Sequence, residues 1–582
     1  MIQRRGIFVT LSLLLVLATA CSRDGSAGAG DRVDKAGTGA AAPAQFTNLG
    51  LLGAMGCGAP GAIEVPELPG REDAVGGAPR HCGGVVLHNL DAGSPLAALG
   101  LQPQDVLIAV MENFLPNKEN PCFDLLARIE SALTAGATAV ELVYLRDGAT
   151  RTALLELTAA DYPPLGQGDL RRSERYAVAA QRGLEYLRSV QDDGGCFPVS
   201  NSTADARLAA ASLAGLAFLA GRDLEDAERF QESRARCRDA VEDAIEAGEV
   251  GHLGSSFAIF FLAETSRNNP TDLSTMTLLA RALGAVLEAQ RDDGGWALAG
   301  ACGQEETDAS ATTATAAATT GFNERTLATH LCLAALGVAE RAGVQMENAP
   351  IEQASAFLRK HTNEGRVGFL PHEEFDRRSE AGRLAGILVA MRAISCAFND
   401  IYLQKLFAYY ADHAHEIAWA PLDESIHLLS SALLARQKGL LQWNRFNHDN
   451  QILLLSLQKL DGSFVTLPKA RRVAVPFFDD LQGPAWRTAL YSLILLLQED
   501  TLPLLTAKVD GTQGKRRDSE GTILAGPEDA DSSGEQPPEQ AGTMMFTNID
   551  DAIEAMKKMG LDEDSPEMKQ LMELKEQMGD DE

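Results

Sequence analysis

Positive charge is scarce in this chain. Its 582 residues include 51 Lys and Arg against 81 Asp and Glu, a formal charge of -30. Holding a phosphate backbone takes clustered basic side chains, so a nucleic-acid partner is excluded. Aromatic residues make up only 6 %, too few to line a large π-rich cavity. Neither CxxC nor GxSxG occurs. The first absence excludes a zinc ribbon or a thioredoxin-type dithiol, and the second excludes the exposed serine of an α/β-hydrolase. What remains is a chain with 45 % hydrophobic residues, enough for more than one core.

The first residues read as an export signal. Arg4 and Arg5 precede an apolar run from Ile7 to Leu17, shorter than the roughly 20 residues that span a bilayer. Ala18-Thr19-Ala20-Cys21 follows and resembles a bacterial lipobox. That resemblance implies removal of residues 1–20, lipidation of Cys21 and a membrane anchor, with Ser22 favouring the outer membrane, facing the periplasm. Residues 21–45 are mostly Gly, Ala, Ser and Asp, a flexible tether. Nine cysteines less the lipidated one leave eight in a compartment where disulfides persist. Cys57 and Cys82 flank a Gly/Pro-rich insertion and are expected to clamp it. Cys332 and Cys396 sit in apolar helical runs and are expected to be buried free thiols.

Residues 83–110, GGVVLHNLDAGSPLAALGLQPQDVLIAV, predict strand, short helix and strand. A helix over Phe123–Leu133 and strands over Val140–Leu145 and Thr152–Leu157 follow. This succession resembles a PDZ domain over 46–160, with Gln104 standing where a Gly is usual. The resemblance implies a peptide-binding groove in which an extended peptide or protein C-terminus adds to a sheet edge. Asn48-Leu49-Gly50-Leu51 would be the carboxylate-binding loop, so Leu49, Gly50 and Leu51 are the candidate ligand-binding residues, with Ile129.

From 172 to 500 the pattern becomes Ala/Leu-rich helices with internal repetition. LEYLRSVQDDGGCF (184–197) parallels LGAVLEAQRDDGGWA (283–297) and LLLSLQKLDGSF (453–464), with a weaker copy at 356–369. In each, a helix ends in an Asp-Gly or Asn-Glu-Gly turn. The candidate repeat-turn residues are Asp193 and Gly194; Asp293, Gly294 and Trp296; and Asp461, Gly462 and Phe464. Gly stops the helix, Asp binds the turn's backbone, and the aromatic packs back on its own unit. The repeats resemble those of the squalene cyclase and prenyltransferase superfamily. The implied fold is an all-α α/α toroid of five to six helix pairs behind the small β-rich domain.

The chemistry of that superfamily does not carry over. The helical region has no DxDD to protonate a polyene. Asp412, His413, His415 and Glu416 lack the Cys of a prenyltransferase zinc site and read as a solvated helix end. Cys302-Gly303-Gln304 is one residue short of a thioester motif. No metal and no cofactor is expected. The reading that remains is an envelope scaffold that binds peptide or protein through the groove and the toroid. The alternative is an envelope hydrolase or lyase on glycan or lipid, with carboxylates such as Glu324, Glu373 or Asp376 at the toroid centre. After Leu505 the chain is hydrophilic and acidic. Residues 506–545 are expected to be a disordered linker and 546–582 short amphipathic helices.

Overall fold

The structure is a computed structural model. It describes residues 47–506 apart from 60–61, 65–80, 112, 117–120, 158–173, 201–202, 249, 269–271, 298–324, 364–365, 368–380, 396–399, 418–424, 468–481 and 498–500. The signal, tether, lipidation site Cys21 and acidic tail lie outside the described residues, as do Glu324, Glu373, Asp376, Cys302 and Cys396.

The β-rich domain is one antiparallel sheet covered by a helix. Strands β1 (Thr47–Asn48), β2 (Ala54–Gly58), β5 (Val85–Leu90), β6 (Val106–Val110), β8 (Ala139–Arg146) and β9 (Ala149–Glu156) lie side by side in that order, with β7 (Asn113–Phe114) added to β6. Strands β3 (Ile63–Glu64) and β4 (His81–Cys82) form a separate ribbon. Helix α1 (Pro95–Ala98) starts at Ser94, whose Oγ accepts from the Ala97 amide and donates to the Leu52 carbonyl. Helix α2 (Cys122–Thr134) lays Leu125, Ile129 and Leu133 on the sheet. Gln104 has φ +77°, a left-handed conformation that Gly would take without strain.

The expected Cys57–Cys82 clamp is absent. Cys57 pairs with Val86 in the large sheet and its Sγ lies 3.1 Å from His88 Nε2, whereas Cys82 pairs with Ile63 in the small ribbon. Both thiols are free.

The helical domain is a closed double ring. Odd-numbered helices are outer: α3 (Glu174–Val190), α5 (Gln231–Ala247), α7 (Leu273–Glu288), α9 (Ala349–Lys360), α11 (Ile401–His413) and α13 (Leu440–Ser456). Even-numbered helices are inner: α4 (Ala204–Ala220), α6 (His252–Asn268), α8 (Arg325–Arg341), α10 (Ala381–Ala393), α12 (Ser425–Lys438) and α14 (Pro484–Leu496). Each inner helix packs on the next, α14 returns to α4, and each outer helix packs on the inner helix before it, α3 on α14. The sequence assigns the layers: α10 is buried at every position, as an inner wall must be, while α3 buries only one stripe. The apolar stretch 204–223 is long enough to cross a bilayer but is this kind of wall.

What joins the pairs is a side chain that the turn motif itself supplies. Gln191, Gln290 and Gln458 end α3, α7 and α13. Each donates Nε2 to the carbonyl four residues on, in Gly195, Gly294 and Gly462, and to a carbonyl of the next outer helix, in Ser233, Pro350 and Ala179. The glycines have φ of +80°, +86° and +88°. Their backbone lies so close to that next helix that a Cβ would stand 2.0, 2.4 and 2.3 Å from the carbonyl oxygens of Arg236, Gln353 and Arg182. Two turn hydrogen bonds also recur in all three copies, such as Gly195, Gly294 and Gly462 N–H to the carbonyls of Asp192, Arg291 and Lys459. In the first copy the left-handed residue is therefore Gly195, one position after Gly194. Asp193 and Gly194 are exposed, and Asp192 caps the turn through the Cys196 amide at 2.7 Å.

The clamp in the third copy closes the ring, because Ala179 and Arg182 belong to the first outer helix. Trp296 and Phe464 then seat each repeat. Both are buried, and their amides donate to Thr329 Oγ1 and Thr488 Oγ1 on the following inner helix at 3.0 and 3.1 Å. Trp296 Nε1 also donates to the Val286 carbonyl at 2.7 Å.

Gly294→Ala combines a disfavoured φ with a steric clash and is expected to cost about 3 kcal/mol or more. Gly248→Ala, at φ +73° in open space, is expected to cost about 1 kcal/mol. Urea denaturation of the two variants measures the difference, and equal costs would remove the close approach as a cause.

Candidate functional site

Two places follow from the sequence: the expected groove of the β-rich domain and the ring axis. The loop after β1 turns through Gly50–Leu52, a single 3-10 turn, with Gly50 at φ +62° and Gly53 at +63°. Leu49 and Ile129 are 1 % and 3 % exposed and meet, with Gly50, around one crevice. The Leu51 side chain lies outside the described residues.

The far wall of that crevice is the ring. Ile452, Leu455 and Ser456 of α13 face Leu49, Leu52 and Leu126, and the space left is ≈ 30 Å³, enough for about one water. A Cβ on Gly50 would stand 2.8 Å from the Leu455 carbonyl oxygen, so only Gly permits this approach. The buried Asn48 amide donates to the carbonyls of Ser456 at 2.8 Å and Gln458 at 3.2 Å. These are carbonyls at the C-terminal end of a helix, which otherwise lack donors. Strand β1 also pairs with part of β2, Thr47 opposite Gly56 and Asn48 opposite Met55.

A buried ion pair borders the crevice: Arg175 Nη2 on α3 lies 2.8 Å from Glu130 Oε1 on α2. Burial pushes the Glu130 carboxyl above its usual range, and Arg175 opposes that push. The β-rich domain therefore touches both α13 and α3, the two helices that Gln458 joins. Sequence reading missed Asn48, Glu130 and Arg175 as partners, since the Asn48 contacts span more than 400 positions and no local pattern signals them.

Among the described residues, the cavity on the ring axis is mostly apolar. Leu213, Phe257, Leu331, Val389, Leu429 and Leu493, one from each inner helix, surround this cavity of ≈ 40 Å³. His330 enters its lining, where burial and the neighbouring Arg383 push the imidazole down to about 3, so it is neutral. The helix C-terminal end is sealed by 501–506: Leu505 lines the cavity, its amide donates to Glu264 Oε1 at 3.0 Å and its carbonyl accepts from Gln437 at 2.9 Å. At the opposite end, Asp205 Oδ1 accepts from the Gly254 amide at 2.7 Å and so caps α6. Burial raises Asp205 and lowers the adjacent His252.

Two of the repeat-turn carboxylates, Asp293 and Asp461, hold local structure, while Asp193 is exposed. Asp293 holds Arg325 through both oxygens at 2.6 Å. Burial works against its charge, but Arg325 keeps the carboxyl below its usual range. Asp461 accepts from the Ser463 amide and hydroxyl. His413 Nδ1 lies 2.9 Å from the Tyr409 carbonyl at the end of α11. Among the described residues no three His, Cys, Asp or Glu side chains are grouped to hold a metal.

The contact pattern defines an α/α toroid carrying a β-rich domain. No family model matches the chain, and no curated protein matches it. Among solved structures it is similar to an unsaturated glucuronyl hydrolase from Bacillus sp. GL1, with 14 % identity over 55 % of this chain and 95 % of that one and a TM-score of 0.39. It is also similar to a family 76 glycoside hydrolase from a bovine Bacteroides thetaiotaomicron strain, with 10 % identity, 61 % and 84 % coverage and a TM-score of 0.38. Likeness at this level bears on no reaction.

Burial raises Glu264 to about 7 although the Leu505 amide and nearby arginines oppose it. A carboxyl raised on folding favours the folded state at low pH, and that contribution is lost as pH climbs from the unfolded value near 4.5 to about 7. Glu264→Gln keeps the acceptor for Leu505 and removes the titration. Its stability relative to the parent is expected to improve by roughly 1–3 kcal/mol between pH 5 and pH 8. Thermal melts at the two pH values check this, and an unchanged difference would contradict it.

Proposed function

We propose that this protein is a lipid-anchored envelope scaffold that captures an extended peptide or protein C-terminus in a PDZ-like groove, with the toroid as the groove's lid. Cys21 would fix it to the outer membrane facing the periplasm. The observation that carries the reading is the loop 48–53 with its apolar neighbours Leu49, Leu52, Leu126 and Ile129. Asn48 of this loop donates to two backbone carbonyls at the end of α13, the type of contact that an incoming peptide would take over. An incoming peptide would take the place of α13 and would repay the cost of separating the two domains.

Among the described residues, the cavity on the ring axis supports this reading more than the enzyme alternative. It is lined almost wholly by apolar side chains and measures ≈ 40 Å³, far below the few hundred Å³ of a small-molecule site. The sealed end gives a substrate no passage on that side.

Asn48→Ala with Arg175→Gln removes two of the polar ties between the domains. In the full chain, a library of fluorescent peptides with free C-termini is expected to include members that bind this variant at least about tenfold more tightly than the parent, the gain from removing a closed state. Circular dichroism establishes that the variant is folded. If no peptide binds either protein above background, the proposal fails.

A further inference from the structure

The three clamped turns share the same hydrogen bonds, so equivalent positions can be compared. The residue after the left-handed glycine is Cys196 in the first copy, Gly295 in the second and Ser463 in the third. Four residues beyond each clamp acceptor on the next outer helix stand Cys237, Ala354 and Gly183. Only the first of these copies has cysteine on both sides of the contact.

The two sides are held together closely. Gln191 Nε2 is 3.3 Å from the Gly195 carbonyl, which belongs to the peptide bond of Cys196, and 3.2 Å from Cys237 Sγ. The Gly195 backbone also lies against the Arg236 carbonyl, which precedes Cys237 directly. Cys237 is fully buried, while Cys196 is half-buried and lines a cavity of ≈ 270 Å³ with Arg207, Ala240 and Asp243. Cys196 therefore faces a space that admits a small reagent, and the residue before it, Gly195, packs on the residue before Cys237.

We propose that Cys196 and Cys237 are a disulfide-forming pair that ties the first repeat turn to α5. Both thiols are free in this structure. The oxidant is a small-molecule disulfide. The Cys196 thiolate attacks one of its sulfurs, the reagent's S–S bond breaks, and one reagent thiol leaves, carrying a proton. The Cys237 thiolate then attacks Cys196 Sγ in the mixed disulfide and expels the second reagent thiol. Two protein thiols are oxidised and one reagent disulfide is reduced. Burial raises both thiols, which makes the exchange slow near neutral pH and faster in mild alkali.

The test uses the full chain incubated with excess oxidised glutathione at mildly alkaline pH, alkylated without reduction, digested and read by mass spectrometry. The expected result is a 196–237 linked peptide and a melting temperature several degrees above that of the reduced protein, because the cross-link spans a long loop. Cys196→Ser, at a half-buried position, abolishes both, and Cys57→Ser abolishes neither. The proposal is overturned by a glutathione adduct on Cys196 beside an alkylated Cys237, by alkylation of both thiols, or by linkage of either to another cysteine.

Discussion

The ring depends on one side-chain amide used three times. A glutamine at the end of an outer helix bonds its own turn and the next outer helix at once. Helix pairs in a ring are otherwise held by apolar packing, which is non-directional and tolerates sliding. The clamp supplies direction: at three of the six junctions it fixes how far one pair sits from its neighbour, and the left-handed glycine lets the two backbones come within contact distance. In the weaker copy the amide is missing. His361 stands at the end of α9, and its Nδ1 turns back to the Phe357 carbonyl of its own helix.

Gln458 holds a special position among the three. Its side chain closes the ring by reaching Ala179, and its backbone carbonyl accepts from Asn48 of the β-rich domain. Arg175, four residues before Ala179, pairs with Glu130 of the same domain. The β-rich domain thus straddles the seam where the first and last outer helices meet. Ring closure and the cover over loop 48–53 thus share one residue, Gln458.

The architecture was legible because its signals are local. Helix ends, Asp-Gly turns and the aromatic after them recur at fixed spacing, and the Ala/Leu-rich region expected to be helical over 172–500 includes helices at 325–341, 381–393 and 484–496. The register of the first copy was not legible: two adjacent glycines, Gly194 and Gly195, are equivalent in sequence and only the approach to Arg236 separates them. The role of glutamine was also hidden, since its second acceptor lies on another helix. At the site, Leu49, Gly50 and Ile129 line one crevice, but what covers them did not follow from the sequence pattern. That information resides in long-range contacts such as Asn48 to Ser456, which leave no periodic trace.

The most direct measurement compares amide hydrogen exchange at residues 48–53 in Gln458→Ala and Gln290→Ala, read by mass spectrometry on the full chain. The two substitutions remove the same clamp at different places in the ring. The account predicts that Gln458→Ala speeds exchange in 48–53 while Gln290→Ala leaves it as in the parent. Equal effects from both, or none from Gln458→Ala, would contradict the coupling of ring closure to the groove loop.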